Sequence, residues 1–170
     1  MDIRFEKASS KYAVSFCSAV DAVARERKYL AGTTGFPEDI TREFVRNIEK
    51  NHLAQFYALD GEKVVGWCDI LPRKHEGFGH VGVLGMGVIA SHRGMGIGKH
   101  LLTRALDHAK NANGLEKVEL EVFKSNTAAI GMYESMGFFR EGERIDARKL
   151  DEQQVCQVEV MSERSQFSYA

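Results

Sequence analysis

The 170-residue chain carries 44% apolar and 28% charged residues, with 23 basic against 24 acidic side chains. That is an ordinary globular composition for one domain with one core, and its near-neutral charge provides no global field to attract nucleic acid or an anionic membrane. No apolar run approaches the roughly 20 residues of a membrane span, and the first residues lack a signal-peptide h-region, so a single cytoplasmic domain over 1–170 is expected.

In chain order, Ile3, Arg4 and Phe5 alternate, which predicts a strand over residues 2–8 ended by Ser9 and Ser10, either of which suits a helix cap. Tyr12, Phe16, Val20 and Val23 then mark a helix face to about residue 30, followed by a glycine- and threonine-rich loop to Pro37. A second helix, started by Asp39 or Thr41, uses Phe44, Val45 and Ile48. Asp60, Gly61 and Glu62 separate two β-type runs, 55–59 and 63–71, which predicts a hairpin. Residues 72–79 read as a loop, and 80–90 as a strand with glycines at 79, 82, 85 and 87, where glycine marks a bulge or the close approach of a ligand.

Ile97, Leu101, Leu102, Ala105, Leu106 and Ala109 recur at three- and four-residue spacing, one apolar face of a helix ended near Gly114. Strands over 117–123, from 138 onward and over 155–161, a helix over 126–136 and a polar tail over 162–170 complete the chain. The three cysteines, Cys17, Cys68 and Cys156, have no C-x-x-C spacing and read as free, buried thiols. The six histidines show no metal-binding arrangement, so no metal is expected.

The stretch that organises the rest is 84–109, in which a strand passes through Arg93-Gly94-Met95-Gly96-Ile97-Gly98 into the long helix. The first turn of that helix has unpaired N–H groups and the positive end of the dipole, a natural seat for a phosphate that approaches glycine backbone without a Cβ in the way. A Walker A loop ending at Gly98-Lys99 would need glycine at Arg93 and Ser or Thr at His100. A dinucleotide fingerprint starting at Gly94 would need glycine at Lys99, and the looser match Gly85-Met86-Gly87-Val88-Ile89-Ala90 falls inside a strand.

What remains, Arg93-x-x-Gly96-x-Gly98, resembles the pyrophosphate loop of the GCN5-related N-acetyltransferases (GNAT), and Glu119-Leu120-Glu121-Val122 with Asn126, Ala129, Tyr133 and Gly137-Phe138 resembles that family's second motif at its spacing. The resemblance covers roughly residues 80–140. It implies an α/β fold with a mixed, splayed sheet of about six to seven strands flanked by about four helices, and acetyl-CoA as cosubstrate. It places the pyrophosphate on the backbone around Gly94, Met95, Gly96, Ile97, Gly98 and Lys99, with Arg93 beside it, and the pantetheine arm alongside Met86, Gly87 and Val88 and near Asn126. The side chains of Arg93 and Lys99 read equally well as phosphate contacts or as solvated charges.

By the same resemblance Tyr133 donates a proton to the coenzyme A thiolate, and Glu121, with Glu119 as its rival two residues away on one strand face, is the general base. Core packing for Tyr133, a helix cap for Asn126 and surface ion pairs for the two glutamates are the structural alternatives. Tyr29, Phe36 and Trp67 are candidate acceptor contacts, and a cation among Arg25, Arg27 and Lys28 would hold a substrate carboxylate if it faced the pocket. The expected reaction is acetyl transfer to a primary amine of a small molecule, such as an amino acid. The alternatives are acetylation of a protein N-terminus or lysine, and a non-catalytic acyl-CoA-binding module. A homodimer is a common expectation for the family.

Overall fold

The computed structural model describes residues 2–164 of a mixed α/β protein with a seven-stranded sheet and four helices. The chain divides into two compact units, Met1–Leu71 with Gly85–Gly114, and Pro72–Leu84 with Leu115–Ala170.

In the first unit, β1 (Ile3–Lys7) pairs antiparallel with β2 (Ala54–Asp60), and β2 with β3 (Lys63–Pro72). The hairpin turns at Gly61, whose φ of 60° lies in the left-handed region where glycine meets no Cβ clash. Residues 85–88 of β4 (Val81–Val88) belong to this unit and run beside β3, the next residue fastened by the Ile89 N–H to the Val65 carbonyl at 2.9 Å. α3 (Ile97–Asn111) buries the apolar face read from its spacing, with Leu101, Leu102, Ala105 and Ala109 fully covered. α1 (Ala13–Arg25) and α2 (Glu38–Lys50) pack on one another, and the Ser10 N–H donates to Glu49 of α2 at 3.0 Å.

α1 stops five residues short of its predicted end. The Glu26 and Arg27 N–H groups turn back to Val23 and Ala24, and Arg27 adopts φ 60°, a left-handed conformation that cannot continue a right-handed helix. α2 begins earlier than predicted, at Glu38, because Pro37 caps it and Thr41 closes the first turn through both its N–H and hydroxyl to the Pro37 carbonyl. Glu38 and Asp39 then sit at the positive end of the helix dipole.

In the second unit, residues 81–83 of β4 run parallel to 117–119 of β5 (Lys117–Phe123), where this ladder ends. β5 pairs antiparallel with β7 (Val155–Arg164), and β7 with β6 (Phe139–Lys149). β7 extends three residues past the predicted end of the last strand, because Ser162, Glu163 and Arg164 continue the ladder with β5; Ser162 is fully buried. The rest of the expected polar tail, 165–170, lies outside the described residues. α4 (Thr127–Ser135) starts where the Asn126 side chain accepts from the Ala129 N–H at 3.2 Å, and Gly137, at φ 91°, lets the chain leave it. Of the three free cysteines only Cys68 is buried; Cys17 and Cys156 are part-exposed.

The exit of α3 tests the backbone argument. Gly114 sits at φ 67° with open space where a Cβ would stand, so Gly114→Ala meets backbone strain alone. We predict a loss of about 1–2 kcal/mol, read as a melting temperature lower by roughly 2–8 °C. Gly131→Ala, on the exposed side of α4 with equal room, should instead stabilise by about 0.5–1 kcal/mol. Equal melting temperatures for the two variants would contradict the assignment.

Candidate functional site

The loop before α3 is shaped by its glycines. Gly94 and Gly96 take φ 75° and 76°, and no heavy atom lies within 4 Å of a Cβ built on either, so the main chain is bare on that side. The first helical bond runs from His100 N–H to the Gly96 carbonyl at 3.2 Å, which leaves the N–H groups of Ile97, Gly98 and Lys99 without an intrahelical acceptor. Ile97 is buried and anchors the turn, whereas Met95 is 49% exposed. Preceding the loop, His92 is buried and holds Asp60 of β2 at 3.2 Å and Ser91 at 2.8 Å, so the approach to the loop is fixed by polar contacts.

The Arg93 side chain is taken up by contacts within the protein. Its guanidinium makes two contacts to Glu26, at 2.8 and 2.6 Å, donates to the Val88 carbonyl at 2.9 Å, and covers the Tyr29 ring at 4.5 Å. The Arg93 contact holds the Glu26 carboxyl below the usual carboxylate range, and Glu26 raises Arg93 in turn. Arg93 thus fastens the end of α1 to the strand-to-loop corner, and Tyr29 is the plate beneath it. Neither Arg93 nor Tyr29 lines the neighbouring cavity.

That cavity, of about 420 Å³, lies wholly within the first unit. α1 supplies Phe16, Val20 and Ala24, and α2 supplies Ile40, Thr41 and Phe44. The loop between them closes one side with Phe36, which is 68% exposed at the mouth, and the floor is Trp67, Asp69, Gly85 and Met86. Trp67 is held by an edge-on contact with Phe16, ring centroids 5.7 Å apart.

Gly85 and Gly87 of β4 owe their place to this floor. A Cβ on Gly87 would lie 2.4 Å from the Trp67 ring, and one on Gly85 would lie 3.3 Å from an Asp69 oxygen. Trp67 and Asp69 share one face of β3, and their side chains cross the corresponding face of β4 where no side chain stands.

Asp69 is the residue that sequence reasoning passed over. It sits deep in the unit and its accessible part opens onto the cavity, which reconciles its part-exposed surface with its depth. Burial pushes its carboxyl up to about 7, against a smaller opposing pull from the Gln55 amide, its ladder partner on β2. The available signal was a lone acid inside the otherwise apolar run 64–71, in phase with Trp67.

In the second unit, Glu119 is bracketed by Arg73 at 2.7 Å and Lys117 at 2.9 Å. Burial pushes its carboxyl up, but these two cations outweigh it and hold it below the usual range. Glu121 is exposed and pairs with Arg144 at 2.6 Å. Tyr133 is 6% exposed with its ring 5.6 Å from Phe138, and Asn126 caps α4. Among the described residues, no group of three or more His, Cys, Asp or Glu side chains is placed to hold a metal ion, and no helix is long and apolar enough to cross a membrane.

Comparison with known proteins places these features in a family. The model of the Acetyltransferase (GNAT) family matches residues 21–138. An N-alpha-acetyltransferase of Sulfurisphaera tokodaii is 36% identical over 108 residues, 56% of this chain and 62% of that protein. A mycothiol acetyltransferase of Geodermatophilus obscurus is 35% identical over 97 residues, 55% of this chain and 31% of that protein, so the match spans less than two thirds of either relative. Among solved structures, a GNAT superfamily phosphinothricin acetyltransferase from Sinorhizobium meliloti, in complex with acetyl-CoA, has the same fold. Its TM-score is 0.86 at 16% identity, covering 99% of this chain and 96% of that one. With its glycine loop, its two matched motifs and this fold, the chain belongs to the GNAT acetyltransferase family.

Proposed function

We propose that the protein transfers acetyl from acetyl-CoA to a primary amine of a small molecule, by direct attack of the amine on the thioester. The observation that carries the reading is the cavity floored by Met86, which opens beside the strand that family likeness assigns to the acetyl end of the cofactor. A pocket of about 420 Å³ suits a small molecule better than a peptide, which would need a groove. One of the curated relatives is an N-alpha-acetyltransferase, so a protein N-terminus is the second reading.

The residues present fit the cosubstrate. The bare turn at Gly94–Gly96 and the N–H groups of Ile97, Gly98 and Lys99 would form a cradle for a diphosphate, with the helix dipole behind it and Lys99 in the same first turn. Met86, Gly87 and Val88 would take the pantetheine amides along the strand edge, as an added strand does. The cosubstrate supplies the activated acetyl group and a good leaving thiolate. What the chain must supply is amine positioning, a proton acceptor and a proton donor.

The acceptor matters because an alkylamine needs roughly 4–5 kcal/mol to lose its proton at pH 7. Glu119 and Glu121 are the acceptors suggested by family likeness, and each would have to leave its ion pair to serve. Tyr133 is the proposed donor, since a phenol within reach of sulfur can protonate a thiolate of ordinary pKa.

Binding and turnover separate these roles. Wild-type protein should bind acetyl-CoA by titration calorimetry, and Gly96→Glu should abolish binding through bulk and like charge; retained affinity would contradict the loop assignment. Tyr133→Phe should slow thiol release at least tenfold with acetyl-CoA affinity unchanged, and full turnover would remove Tyr133 from the mechanism. Turnover with peptides and none with small amines would move the assignment to the N-terminal reading.

A further inference from the structure

We propose that the cavity of the first unit takes a primary amine carried on an apolar, uncharged body, with Asp69 as the residue that binds its ammonium and accepts its proton. This deepens the acetyltransferase reading and rests on it.

Among the described residues that line the cavity, Asp69 is the single ionisable side chain. The walls are aliphatic and aromatic, and Phe16, Phe36, Phe44 and Trp67 offer ring surface to a hydrocarbon body. Among the described residues no lysine or arginine lines it: Arg25 pairs with Asp21 at 2.7 Å, and Arg93 is committed to Glu26. An amino acid would bring a carboxylate with no cation to receive it, and burying an unpaired carboxylate is strongly unfavourable. The same molecule without its carboxylate leaves nothing unpaired. Its ammonium meets the one anion present, in an apolar setting where that attraction is strengthened.

Position supports the second role. The Asp69 carboxyl lies over Gly85, next to Met86, at the end of the cavity that faces β4. The groups that face it are Gln55 and Tyr57 from β2; Cys68, next to it on its own strand, lies on the opposite face but feels its charge, while Gly85 of β4 has no side chain and α1 and α2 present apolar residues and Thr41. Burial pushes both Tyr57 and Cys68 up, so neither ionises near neutrality, and Asp69 is the group that titrates there.

The transfer balances as follows. The ammonium gives one proton to an Asp69 oxygen, and the nitrogen lone pair so exposed forms the C–N bond to the acetyl carbonyl carbon. The C–S bond breaks with its electrons on sulfur. A second proton leaves nitrogen and matches the one that sulfur takes up, so the products are amide and thiol, and the proton on Asp69 returns to solvent.

The test uses the full chain with phenethylamine, hexylamine and L-phenylalanine as acceptors and thiol release as readout. Phenethylamine should exceed L-phenylalanine, its carboxylated counterpart, at least tenfold in kcat/KM. For the amine, kcat/KM should rise with pH through about 7 and level off above, because Asp69 must be ionised to accept the proton. Asp69→Asn should lower kcat/KM by about 10²-fold or more and erase that limb, with acetyl-CoA affinity by calorimetry unchanged.

Folding of the variant can be checked by its melt, with a defined sign. The native carboxyl keeps a proton that the unfolded chain releases between about pH 4 and 7, so wild-type stability falls as pH rises through that window. Asp69→Asn should therefore melt at or above wild type at pH 8. A preference for L-phenylalanine, or an unchanged pH limb in Asp69→Asn, overturns the proposal while leaving acetyl transfer intact. Failure of the wild type to bind acetyl-CoA overturns both.

Discussion

The cavity of the first unit depends on a steric exchange between two neighbouring strands. β3 projects Trp67 and Asp69 across β4 at two of its three glycines, Gly87 and Gly85, and a single methyl at Gly87 would meet the indole ring at 2.4 Å. With the indole in place, Phe16 of α1 has an edge to pack against, and the helix pair acquires a floor. With the carboxyl in place, the same floor carries one ionisable group in an apolar enclosure. The strand that family likeness gives to the cofactor is thus also the strand that makes room for Trp67 and Asp69 on the cavity floor.

The residues proposed to carry the function sit on elements of different physical character. The α3 loop offers main-chain dipoles, which need no side chain and are fixed by glycine conformations and by the buried His92. The cavity offers hydrocarbon surface from helices whose register is set by core packing. The second unit holds Tyr133 buried beside Phe138, and Glu119 between two cations. Within one β-strand, the two glutamates differ in surroundings: Glu119 is enclosed by Arg73 and Lys117, while Glu121 pairs with Arg144 in solvent.

Much of this was legible in the chain. The glycine loop and the helix after it follow from spacing alone, because a 3.6-residue apolar period and left-handed glycines are local properties. The hairpin at Gly61 and the cap at Asn126 are local in the same way. What spacing could not supply was which partner each side chain would find. From its motif the Arg93 side chain reads equally well as a phosphate contact or a solvated charge, yet its partner is Glu26, 67 residues away. Gly85 and Gly87 of β4 read as access for a ligand, and their steric reason lies in β3. Asp69 carries no motif; its place as a lone acid in an apolar run hints at burial, but only the enclosure around it shows what it faces.

The bond between Glu26 and Arg93 has one more consequence. Because the two charges cancel, the corner beside the loop contributes little net field, and a diphosphate there would be drawn chiefly by oriented peptide dipoles and by Lys99. Fixed dipoles at contact distance are shielded by dissolved ions far less than separated surface charges are. Cofactor affinity in this protein should therefore decline only gently as ionic strength rises, a behaviour set by an arginine that is already spoken for.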